Sequence, residues 1–112
     1  MSLRQRQSAF AKAAAELILR AEKMGYRVTL GDAYRDPRND RDGSPVYGSK
    51  SSLHRQRLAI DLNLFARNDK GRWVYVTTTE GHAKLGEWWE ANHRNAIWGG
   101  RWDDGNHYQW RL

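Results

Sequence analysis

The fold of this chain is decided by the stretch LAIDLNLF at residues 58–65. Aliphatic side chains occupy every second position from Leu58 to Leu64, and the positions between them hold an alanine, Asp61 and Asn63. A period of two is typical of a β-strand that buries one face. We therefore predict a strand with an aliphatic core face and an opposite face that carries a carboxylate beside a small alanine.

Two histidines can join this carboxylate at one point. His54 lies seven positions before Asp61, and His107 begins a second alternating stretch, HYQWRL, at the end of the chain. If the two strands are neighbours, His54, Asp61 and His107 can converge. Imidazole and carboxylate are ligands that zinc accepts, and three protein ligands with one open position are typical of catalytic zinc sites. On spacing alone, ordinary surface or core roles for these side chains remain open.

A resemblance to a known family adds to this pattern. Residues 52–61, SLHRQRLAID, resemble the S-x-H-x-x-G-x-A-x-D motif of zinc D-alanyl-D-alanine peptidases, and DGNH at 104–107 resembles their second motif. Length and spacing look most like the phage endolysins of this family, the L-alanyl-D-glutamate peptidases. Arg57 stands at the family's glycine position, and arginine lacks the backbone freedom of glycine. Either the turn before Asp61 differs, or that glycine was never needed for a positive φ.

The resemblance implies a role for each of five residues. His54, Asp61 and His107 would bind Zn²⁺, and Asp104 would act as general base on the attacking water. Arg35, at the end of an earlier predicted strand, resembles the family's upstream arginine and would hold a substrate carboxylate or stabilise the oxyanion. Without the resemblance, Arg35 would be interpreted as a surface charge. The implied substrate is the peptide stem of peptidoglycan.

Composition limits the remaining possibilities. A chain of 112 residues allows one modest core, so we expect a single domain, the zinc peptidase domain, over residues 1–112. The absence of cysteine excludes disulfides, thiolate metal sites and cysteine nucleophiles. The net charge of +6 favours polyanionic partners, among which are nucleic acids and the bacterial wall.

The chain also gives expectations about location and partners. The apolar positions 11–19 are interrupted by Lys12 and Glu16, which is a helical pattern and not that of a secretion signal. We therefore expect synthesis in the cytoplasm without a signal peptide and no membrane insertion. We also expect no nucleic-acid partner and a monomeric protein. The resemblance implies action on the cell wall, in host cell lysis, after release through a membrane lesion made by a partner.

The order of patterns predicts an α+β domain with a mostly antiparallel sheet flanked by an N-terminal helix and a second helix. Hydrophobic spacing indicates a helix from about Leu3 to Met24, and alternation predicts strands at 26–30, 58–65, 73–76, 96–98 and 107–112. Residues 36–52 lack periodicity and are predicted to form a loop. A second helix is expected from about Glu80 to His93. Its two histidines, His82 and His93, are interpreted as structural or exposed.

Three other functions remain open at this point. One is a D-alanyl-D-alanine carboxypeptidase or dipeptidase, which performs the same chemistry on another bond. Another is a basic nuclease that uses His54 and His107 around a metal ion. The third is a non-catalytic wall- or nucleic-acid-binding module with tryptophans as stacking surfaces.

Overall fold

The described structure consists of two helices and five short strands. It is a computed structural model that describes residues 1–31 and 56–111. Arg35, His54, the predicted loop at 36–52 and Leu112 therefore lie outside the described residues. The elements are α1 (Leu3–Lys23), β1 (Arg27–Leu30), β2 (Ala59–Arg67), β3 (Trp73–Tyr75), α2 (Ala83–Asn92), β4 (Ala96–Trp98) and β5 (His107–Trp110), with 3₁₀ turns at Glu80–His82 and Gly99–Trp102.

The ends of α1 are set by local chemistry. Ser2 accepts a hydrogen bond from the backbone N–H of Gln5, and the Gln5 side chain accepts one from the Ser2 N–H, which forms a capping box. Gly25, with φ of 97°, follows the helix in the left-handed conformation that terminates many helices. The predicted helix is thus confirmed, with its apolar stripe from Phe10 to Ala21 buried.

The sheet is antiparallel and is built around β2. Its strand order is β1-β2-β5-β4, and β3 also pairs with β2 as an antiparallel hairpin. A strand from before this stretch, β1, and a strand from near the end of the chain, β5, thus both pair with β2. This confirms the α+β class, and the pairing of β2 with β5 meets the condition under which Asp61 and His107 can converge.

The core lies between the sheet and the two helices. All four aliphatic residues of the 58–64 alternation are buried, as predicted. Phe10 of α1 meets Trp89 of α2 and Trp110 of β5 edge-on, with ring centroids 6.1 and 5.7 Å away. Edge-to-face aromatic pairs of this kind contribute about 0.5–1.5 kcal/mol beyond the burial of their area. The aromatic cluster therefore ties both helices to the sheet that carries the candidate site.

Candidate functional site

The pairing of β2 with β5 places two predicted site residues side by side. Asp61 and His107 are directly opposite in the antiparallel register, and directly opposed residues share one face of a sheet. His107 Nδ1 lies 3.2 Å from Asp61 Oδ1. Both side chains are largely enclosed, with 11% of His107 and 17% of Asp61 exposed. The structure thus brings together two of the three predicted metal ligands.

Gln109 completes the surroundings of the imidazole. Its Oε1 lies 2.7 Å from His107 Nε2, which donates to it. Asp61 Oδ1 accepts on the other side, so both ring nitrogens face acceptors. This arrangement fixes the plane of the ring. The sequence analysis missed Gln109, although its position two residues after His107 on one strand puts both on the same face.

The same neighbours decide the charge of His107. Burial on its own lowers the pKa of the imidazole. The hydrogen bonds to Asp61 and Gln109, together with the negative charges of Asp61 and Asp104, outweigh that effect and raise the pKa above its usual value. The site is therefore electrostatically suited to a positive charge between the imidazole and the carboxylate.

Asp104 lies in the turn that leads into β5. Its backbone carbonyl accepts a hydrogen bond from the His107 N–H at 3.1 Å, and its own N–H donates to Gly99 O at 2.9 Å. The side chain is exposed and its charge acts on His107. A carboxylate that is held near an enclosed imidazole yet remains open to solvent is suitable for proton transfer.

Close packing holds this turn in place. A Cβ on Gly99 would lie 2.3 Å from Asp104 O and 2.8 Å from His107 Cβ, so only glycine fits there. Trp98 is half-buried against the core, and its Nε1 donates to Gly105 O at 2.7 Å. Trp98 thus packs against the core, and its indole also anchors the turn that carries Asp104.

A polar cavity of about 190 Å³ opens beside Asp104. Its lining includes the threonine run 77–79, His82 and residues 103–106. His82 is 3% exposed, and its Nδ1 lies 2.9 Å from the hydroxyl of the fully buried Tyr108. Burial lowers the pKa of His82 to about 4 and raises that of Tyr108, so both are neutral near pH 7. His82 is thus structural, one of the two roles that the sequence analysis left for it.

Two of the predicted site residues lie in other parts of the chain. Arg35 and His54 lie outside the described residues. Within residues 1–31 and 56–111, no three His, Asp or Glu side chains cluster in a way that could hold a metal ion. The third zinc ligand expected from the sequence, His54, is one of the residues outside that part of the chain.

Comparison with protein-family models and with curated proteins found no match for this chain. In the described parts of the chain, no helix combines the length and apolar character required to cross a membrane.

Proposed function

We propose that this protein is a zinc-dependent peptidoglycan peptidase that hydrolyses the L-alanyl-D-glutamate bond of the peptide stem, in the manner of a phage endolysin. The proposal rests on one observation: the side chains of Asp61 and His107 meet from two adjacent strands. Asp104 stands beside them, in the order and spacing of the motifs that the sequence resembles.

The donor atoms fit a zinc ion. Two ligands of a tetrahedral zinc, each bonded at about 2.0–2.1 Å, stand about 3.3 Å apart. The separation of His107 Nδ1 and Asp61 Oδ1 is 3.2 Å. This distance also suits the hydrogen bond of a protonated imidazole, and a metal ion would take the place of that proton. Gln109 would keep the imidazole oriented in either state.

The residues divide the chemistry between them. His54, Asp61 and His107 would hold the zinc, which supplies activation of water and polarisation of the scissile carbonyl when bound. Asp104 takes the proton of the attacking water and delivers it to the leaving amine. Arg35 holds a substrate carboxylate or stabilises the developing oxyanion. The net charge of +6 attracts the protein to an anionic wall.

The first experiment is digestion of purified peptidoglycan with and without a chelator, with mass spectrometry of the products and zinc counted in the same sample. We expect a new D-glutamate or isoglutamine amino terminus that disappears on chelation and returns with zinc. Release of terminal D-alanine would instead identify the carboxypeptidase. An intact wall with no zinc bound would contradict the proposal and favour a binding module.

Variants separate the metal ligands from the base. Asp61→Ala should lose zinc and activity, whereas Asp69→Ala, in the exposed turn after β2, should keep both.

Asp104→Asn should keep zinc and lower kcat by roughly 10²–10⁴, the usual contribution of a general base. Asp103→Asn is its matched control, because asparagine tolerates the left-handed conformation of that residue, φ 58°. Loss of turnover in Asp103→Asn alone would move the role of base to Asp103.

A further inference from the structure

Trp102 differs from the other tryptophans of this protein. All six lie within the described residues, and Trp102 is the exposed one at 51%. Trp89 and Trp110 are buried in the core, and the rest are partly covered. An exposed indole forgoes the stabilisation that burial of its large apolar surface would give. The surface around Trp102 is therefore a candidate for ligand binding.

Trp102 lies at the edge of the candidate site. The Trp102 ring centroid lies 5.6 Å from the centroid of the His107 imidazole, with the planes at 58°. Trp102 ends the Gly99–Trp102 turn, which is closed by hydrogen bonds from Asp103 N to Gly100 O and from Asp104 N to Gly99 O. The same short turn therefore positions the indole and the carboxylate of Asp104.

The groups around the indole indicate the kind of ligand. Beyond the apolar ring, the turn presents the exposed carboxylates of Asp103 and Asp104 and the amide of the partly exposed Asn106. An apolar face with hydrogen-bonding groups at its edge suits a sugar ring, which has C–H groups on its faces and hydroxyl and amide groups on its rim. An alanine methyl group is too small to cover an indole.

We propose that Trp102 binds the muramyl sugar that carries the peptide stem, an inference that rests on the proposed function. In peptidoglycan, one L-alanine and one lactyl group separate the sugar ring from the scissile carbonyl. Two such units span at most about 7 Å. With the carbonyl beside His107, a sugar ring stacked on Trp102 would lie on the neighbouring side chain, whose ring centroid is 5.6 Å from that of His107.

The test compares two soluble substrates that differ only in the sugar. One is N-acetylmuramyl-L-alanyl-D-isoglutaminyl-lysine, and the other carries a free lactyl group in place of the N-acetylmuramyl group. The zinc-loaded wild type should cleave the muramyl substrate with a kcat/KM about tenfold higher, the size expected of one aromatic contact. Trp102→Ala should bring this ratio close to one while it still cleaves the lactyl substrate, and Trp102→Phe should keep part of the preference.

Trp73→Ala is the matched control. Trp73 pairs with Arg67 at the far end of β2, six residues from Asp61 and so roughly 20 Å away. This variant should keep the wild-type ratio. Equal loss of rate on both substrates in Trp102→Ala would overturn the inference and make Trp102 a residue that merely positions His107. A wild-type ratio near one would also overturn it while leaving the peptidase intact, whereas no cleavage of either substrate would refute the peptidase and this inference with it.

Discussion

At the scale of the residue, Arg57 shows how a sequence motif and a backbone conformation are related. Its φ is 57°, in the left-handed region that costs a non-glycine residue about 1–2 kcal/mol. The motif that the sequence resembles has glycine at this position. The turn before β2 therefore does take a positive φ at this position, and in this chain an arginine adopts it.

This strain predicts the order of two variants. Arg57→Gly and Arg57→Ala both remove the side chain and its interactions, but only glycine relieves the left-handed backbone. After allowance for the greater freedom of glycine in the unfolded chain, Arg57→Gly should be more stable than Arg57→Ala by roughly 0.5–1 kcal/mol. Urea unfolding of both proteins measures the difference. Equal midpoints and slopes would show that Arg57 is unstrained in solution.

At the scale of the element, contacts from α2 hold in place the turn that carries Asp104. Glu90 accepts a hydrogen bond from Trp98 N at 2.9 Å and forms an ion pair with Arg101 at 3.0 Å. The Trp98 indole lies against Gly86 of α2, where an added Cβ would be 2.1 Å from the ring. Because that indole also donates to Gly105 O, the packing of α2 and the position of the site turn are coupled.

Gly86→Ala tests this coupling. In an ordinary helix interior, glycine to alanine stabilises by roughly 0.5–1 kcal/mol. Here the methyl group would displace Trp98, so we expect destabilisation of about 1–3 kcal/mol, the usual cost of overpacking. Activity of the folded variant should fall as well, since the Asp104 turn loses its anchor. Glu87→Ala, on the exposed face of α2, should have little effect. A stabilised Gly86→Ala protein would disprove the tight contact.

At the scale of the whole molecule, one buried histidine makes folding sensitive to acid. His82 is enclosed by the 3₁₀ turn and β5, where Tyr108 faces it and Asp103 and Asp104 line the adjoining cavity. Its pKa is about 4 in the folded protein, against an ordinary value of 6.5. Between these values the unfolded chain binds more protons than the folded one, so stability is complete above pH 6.5 and falls as the pH drops towards 4.

His82→Gln isolates this contribution. The difference of two and a half pKa units corresponds to about 3 kcal/mol once the pH is below both values. The wild type should therefore lose up to that much more unfolding free energy than His82→Gln between pH 7.5 and pH 4. The opposite contribution of His107, whose pKa is raised, is common to both proteins and cancels. Parallel pH curves would mean that His82 titrates normally.

The elements with the clearest periodicity in the sequence were predicted correctly. The period-two stretch predicted β2 and its buried face, and the helical stripe predicted α1, because alternation and 3.6-residue spacing are local consequences of backbone geometry. The second helix begins later than expected, as α-helix from Ala83, with a 3₁₀ turn at Glu80–His82 before it. Helix ends depend on neighbouring contacts as well as on local sequence.

The sequence by itself determined the α+β class, the strand that organises it and the nomination of Asp61, His107 and Asp104. Only the tertiary structure decided that Asp61 lies directly opposite His107, that Gln109 fixes the imidazole and that Trp102 remains exposed beside it. The physical reason is that periodicity is written along the chain, whereas register, burial and side-chain proximity arise when distant segments pack together. The type of a residue indicates which chemistry it can perform, but the residues beside it in the folded sheet determine its charge and its hydrogen-bond partners.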